Sequence, residues 1–141
     1  MAATKTINSK YSIISKREMV PIVVNEIMTY LSANTIIDGC DCVFDIKVVL
    51  NELISNAVIH GNGEDLSKPV DINLVYDGEI LEFTIIDRGE EFTPENKEEE
   101  KLLCESNRGI SMCHILCKKL IYKFIEGLGN SAKAVFKLIK I

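Results

Sequence analysis

Between Asn51 and Gly61 the chain reads NELISNAVIHG, with Glu52, Asn56 and His60 at steps of four. On a helix, residues four apart share a side and lie roughly 6 Å apart along the axis. A carboxylate one turn before a carboxamide could hold a hydrated cation and supply a base. Turned at about 100° per residue, the stretch gathers Ile46, Val49, Leu50, Leu53, Ile54, Ala57 and Val58 on one continuous arc. Glu52 and Asn56 fall at its border, where a side chain can face a cleft rather than open water. Taken alone, the stretch reads first as the solvated edge of an amphipathic helix, because charges are common at such borders.

Two later segments change that weighing. Ile85-Ile86-Asp87-Arg88-Gly89-Glu90-Glu91-Phe92 predicts a strand ending in Asp-x-Gly. Asn107-Arg108-Gly109-Ile110-Ser111-Met112 predicts the opening of another amphipathic helix, with a glycine in its first turn. In this order the three segments resemble the N-box and the two glycine boxes of the Bergerat-type ATP-binding fold. That fold is shared by histidine kinases, type II topoisomerases and anti-sigma factor kinases. The compact length and the wording Glu-x3-Asn-Ala-x2-His-Gly look most like the serine-protein kinases that act as anti-sigma factors. The resemblance covers roughly Lys16 to Lys140.

The resemblance implies a role for each matching residue. Glu52 would be the general base, taking the proton of an attacking serine hydroxyl or water. Asn56 would be the magnesium ligand, and one carboxamide suffices because magnesium takes few protein ligands beside phosphates and water. Asp87 would accept a hydrogen bond from the adenine amino group, and Gly89 would let the backbone approach the base. Gly109 would open a helix whose free N–H groups attract phosphate, with Arg108 adding a cation beside it. The implied cofactors are ATP and magnesium. The implied partners are a sigma factor and an anti-anti-sigma antagonist protein, with pairing of two copies through the first strand and helix. Without the resemblance, Asp87 reads as a turn residue and Arg108 as a surface cation. His60 reads as a residue steadying the end of the central helix.

Three departures stand against tight nucleotide binding. Glu91 occupies the second glycine position of the Asp-x-Gly-x-Gly box, and Ser111 that of the Gly-x-Gly helix start. The Gly-Thr that precedes the last strand in the family is missing, with Ser131-Ala132-Lys133 in its place. The base and metal positions are intact.

The 141 residues suit one domain with a single core, residues 1–141, carrying a lid over about 92–107. An apolar fraction of 47% and a charged fraction of 26% are those of an ordinary globular protein. A net charge of −5 argues against an extended nucleic-acid footprint. No apolar run approaches the roughly 20 residues of a membrane span. The N-terminus lacks the apolar segment of a secretory signal, so a cytoplasmic protein is expected. Five cysteines do not frame a disulfide scaffold or a zinc site. They are expected to be reduced and partly buried.

Taken in order, Thr6 to Ser15 predicts a strand with Ile7, Tyr11 and Ile13 on one face. Ser15 and Glu18 have the spacing of a capping box for a first helix, whose apolar side is Val20, Val23, Val24, Ile27, Met28 and Leu31. Asp41 is placed to cap a central helix running from about Cys42 to His60, with Gly61 ending it. Val70–Tyr76 and Ile80–Asp87 predict two strands joined at Asp77-Gly78. The acid-rich stretch from Phe92 to Asn107 is the lid position. A helix over Arg108–Lys119 and strands over Leu120–Ile125 and Ala132–Ile139 complete the chain. This order predicts an α+β two-layer sandwich, a mixed but mostly antiparallel sheet with helices on one face. The expected activity is ATP-dependent serine phosphorylation of an antagonist protein by an anti-sigma factor. The alternatives are a non-catalytic binding module of the same fold and, less well supported, a piece of a sensor histidine kinase.

Overall fold

Alternation of apolar and polar residues builds the sheet. The computed structural model describes residues 6–91 and 117–138. Strand β1 (Ile7–Ile13) buries Ile7 and Ile13 and turns Tyr11 to the same side. Strand β2 (Val70–Tyr76) buries every second residue from Val70 to Tyr76, and β3 (Ile80–Ile86) buries Leu81, Phe83 and Ile85. Strands β4 (Lys119–Ile125) and β5 (Gly129–Lys137) follow. The strand order is β1-β2-β3-β5-β4. Register sets small against large at the centre: Phe83 pairs with Ala134, and its ring meets Phe136 edge-on at 6.2 Å between centroids.

All four pairings among the described residues are antiparallel, in keeping with the mostly antiparallel sheet expected. Two tight turns account for two of them. At the β2–β3 turn Asp77 Oδ1 accepts from the backbone N–H of Glu79 (2.9 Å) and Ile80 (2.6 Å), while Gly78 takes φ of +102°. These bonds hold the Asp77 carboxyl below its usual range.

Helix α1 (Met19–Ala33) buries Val20, Val23, Val24, Ile27 and Leu31. Helix α2 (Val43–Asn56) buries Ile46, Val49, Leu50, Leu53 and Ile54. All seven residues of the predicted apolar arc are buried. The helices form one layer against the apolar face of the sheet. The other face carries rows such as Lys10, Asn73, Thr84 and Lys133, adjacent by register. The result is an α+β two-layer sandwich.

Neither predicted cap forms. Helix α1 starts after Glu18 with no side-chain cap, because Ser15 is fully buried and donates to the carbonyl of Lys68 instead. Helix α2 starts after Cys42, not Asp41, again without a side-chain cap. The central helix also does not run unbroken to His60: residues Ala57–Gly61 form a π-helical turn. The lid and most of the predicted helix over Arg108–Lys119 lie outside the described residues, and Lys119 already belongs to β4.

The cysteine expectation needs correction. Cys40 and Cys42 are joined in a disulfide across the bend that opens α2, with Cα atoms 5.4 Å apart. A spacing of two closes only its own bend, so a search for a long-range disulfide frame passes over it. Cys117 is buried, its Sγ donates to Lys119 O at 3.4 Å, and burial pushes its thiol pKa up. A thiol reductant should expose Cys40 and Cys42 to alkylation and lower the melting temperature by a few degrees, as expected for a short loop worth about 1–2 kcal/mol. Intact mass after alkylation, with and without reductant, checks it. Full labelling before reduction would show that the pair stays open.

Candidate functional site

The site is built where the end of α2 meets the loop after β3. Glu52 is half-buried on α2, and Asn56, its last residue, is half-buried one turn on. The following π turn is closed by the N–H of Asn62 donating to Ala57 O at 2.8 Å. A π turn widens the helix by one residue, and such turns recur at functional sites. Here it brings Gly61 against Asp87: a Cβ built on Gly61 would lie 2.1 Å from Asp87 Oδ2. Only glycine leaves room for that carboxylate.

Asp87 follows β3 directly and is 7% exposed. Its N–H donates to Asn130 O at 3.0 Å, extending the β3–β5 ladder by one step. Its Oδ1 accepts from the Gly89 N–H (2.8 Å), the Asn130 N–H (3.3 Å) and Asn130 Nδ2 (3.1 Å). Every one of these bonds ends on Oδ1, and Oδ2 is left facing Gly61. Two more glycines pack on the same spot. A Cβ on Gly89 would fall 2.0 Å from Gly61 O, and one on Gly129 would fall 1.9 Å from Asp87 O. Three stretches of backbone thus close around one carboxylate.

Asn62, 3% exposed, ties this loop to the rest of the chain. Its Nδ2 donates to Ser15 Oγ (2.9 Å), Lys68 O (3.0 Å) and Pro69 O (3.0 Å), and its Oδ1 accepts from the Arg88 N–H (2.6 Å). The Arg88 side chain turns to the uncovered face of the sheet and pairs with Asp71 at 2.6 Å. It is therefore not offered to the cleft. His60, at the end of the π turn, is held below its ordinary pKa by partial burial and, secondarily, by the charge of Arg17.

The structure thus packs Asp87 and Gly89 against Gly61, and places Glu52 and Asn56 on the helix that leads to it. Arg108 and Gly109 lie outside the described residues. Gly129, Asn130, Asn62 and Ser15 were missed by the sequence reading. The last strand was expected from Ala132, whereas β5 begins at Gly129. The expected vacancy of the Gly-Thr position at Ser131-Ala132-Lys133 shifts accordingly, because Gly129-Asn130 is the pair that touches Asp87.

Whether the residues suit a metal was tested on Asn56. Its Nδ2 is buried and finds no acceptor among the described residues. A buried N–H donor without an internal partner calls for an acceptor such as water or a phosphate oxygen, whereas a cation would take the carboxamide oxygen. No group of three or more His, Cys, Asp or Glu gathers among the described residues. A cation here would be held by one carboxamide together with its own phosphate and water ligands, as suits magnesium.

No described helix is long and apolar enough to cross a membrane. A search of curated proteins finds no match. A sequence model of the histidine kinase-like ATPase domain matches residues 16–136, a span that begins after β1 and contains both helices, strands β2 to β4, nearly all of β5 and the Asp87 cradle. With the antiparallel sheet, the two helices packed on it and that match over most of its length, the chain belongs to the family of histidine kinase-like ATPase domains, an ATP-binding fold.

Proposed function

We propose that this chain is a single-domain ATP-dependent serine-protein kinase acting as an anti-sigma factor. It would phosphorylate a serine on an anti-anti-sigma antagonist and control transcription by switching partners. The observation that carries this is the placement of Glu52 and Asn56 on the helix whose end touches Asp87. From Glu52 to Gly61 the helix advances roughly 13 Å, so a nucleotide with its base at Asp87 would run along α2 toward Glu52.

In that pose Asp87 Oδ2, an acceptor only, would take a hydrogen from the adenine amino group. Asn56 would offer its carboxamide oxygen to magnesium. When bound, magnesium offsets phosphate charge and aligns the γ-phosphoryl group for transfer. Glu52 would take the proton of the serine hydroxyl as it attacks, which requires hydrogen-bond reach to that hydroxyl. Gly109 and Arg108 would receive the phosphates from the far side. A cytoplasmic location, as proposed here, requires the Cys40–Cys42 pair to open, because thiols are kept reduced there.

Thermal melting with nucleotides tests the base assignment. ATP with magnesium should raise the melting temperature, because a ligand that binds only the folded state stabilises it, by about 2.7 kcal/mol at a hundredfold excess over Kd. GTP should do so far less. Indifference to ATP at millimolar concentration, or a preference for GTP, would remove Asp87 from the role. Capture of a sigma factor without phosphate transfer to any antagonist would favour the non-catalytic module.

A further inference from the structure

We propose that Asn130 is a positioning residue for nucleotide choice, fixing which oxygen of Asp87 meets the base. This deepens the reading of Asp87 as the adenine acceptor and rests on it. A carboxylate presents two equivalent oxygens and can rotate about its Cβ–Cγ bond. Selectivity for an amino group over a carbonyl requires that rotation to be stopped. Two backbone N–H groups, from Gly89 and Asn130, already reach Oδ1. The Asn130 carboxamide adds the third, charge-assisted bond at 3.1 Å.

The same nitrogen has a second hydrogen, and it donates to Glu90 O at 2.7 Å. An amide nitrogen has two donors where a hydroxyl has one, so this side chain can hold the carboxylate and the following loop together. From the loop's other end Asn62 Oδ1 holds the Arg88 N–H at 2.6 Å. Asn130 thus sets both the orientation of Asp87 and the path of residues Arg88 to Glu90. With Oδ1 saturated, Oδ2 beside Gly61 is the atom left to read the ligand. It accepts an amino hydrogen and repels a carbonyl oxygen.

The test compares ATP with ITP, which carries a carbonyl where ATP carries the amino group, by titration calorimetry on the full chain. The native chain should prefer ATP. Asn130→Ala should weaken ATP by roughly 10–100-fold, the worth of a hydrogen bond to a charged group, while ITP changes little, so the preference collapses. In an Asp87→Asn background the same substitution should leave the ATP-to-ITP ratio unmoved, because its effect runs through the carboxylate. A merely structural role would weaken both nucleotides together. An unchanged ratio in Asn130→Ala, with the native preference intact, overturns the role of Asn130 alone. A native chain that binds both nucleotides equally overturns it together with the assignment of Asp87. If melting shows that Asn130→Ala does not fold, Asn130→Ser, which keeps one donor, is measured in its place and judged by the same ratio.

Discussion

Replacing Glu52 by Gln should lower phosphate transfer to a serine acceptor by roughly 10²–10⁴-fold, the contribution of a general base. Nucleotide binding should persist. Glutamine keeps the size of the side chain and its capacity to hydrogen-bond but loses the basic carboxylate. Glu52 lies at the border of the buried arc of α2, so the helix should fold as before. Asn56→Ala should differ, weakening magnesium-dependent ATP binding as well as transfer, because the cation would lose its proposed protein ligand. Single-turnover transfer from labelled ATP, paired with a binding titration, separates the two. Transfer at the native rate in Glu52→Gln would place the base elsewhere. Equal ATP affinity of Asn56→Ala with and without magnesium would remove the metal role.

Adding one methyl group to the cradle should be as damaging as removing the base, by a different route. In Gly61→Ala the new Cβ meets the tip of a side chain, Asp87 Oδ2 at 2.1 Å. The carboxylate must leave its bonds on Oδ1, and the Asp87 Cβ, 2.9 Å away, must shift as well. The fold should survive at some cost in stability while nucleotide binding is lost. In Gly129→Ala the Cβ meets backbone, Asp87 O at 1.9 Å, at a φ of +150° that side chains rarely adopt. Nothing there can yield cheaply. Strain and overlap together should cost about 3 kcal/mol or more, or roughly 10 °C in melting temperature. Melting each variant with and without ATP distinguishes them. A native-sized ATP shift in Gly61→Ala would show that the ligand does not use Asp87.

Much of the architecture was legible because it depends on periodicity. The arc on α2 follows from helical spacing, and the β2–β3 hairpin follows from alternation around Asp77-Gly78. The caps failed because Ser15 answers to Lys68 and Asn62, residues about fifty positions away that no local pattern reveals. The start of β5 was missed for a related reason. Gly129 and Asn130 look like turn residues, yet they pair with the chain because Asp87 supplies the partner. The π turn leaves no compositional mark, since Ala57 and Val58 fit an α-helix equally well. Of the candidate site, Glu52, Asn56, Asp87 and Gly89 could be named only through the resemblance their motifs carry. The residues that orient them could not, because orientation depends on contacts between distant segments.

The π turn separates two settings that a continuous helix would couple. Along an unbroken α-helix the angular phase of Asn56 would fix that of Gly61, and any rotation suited to one would displace the other. The extra residue between Ala57 and Gly61 breaks that coupling. Asn56 keeps the phase dictated by the buried arc, while Gly61 takes the phase required by Asp87. The two ends of the cleft can therefore diverge separately. In the proposed pose, substitutions around Gly61 and Asn62 should retune which base is accepted without turning Glu52 or Asn56, leaving the proposed chemistry at the other end unchanged.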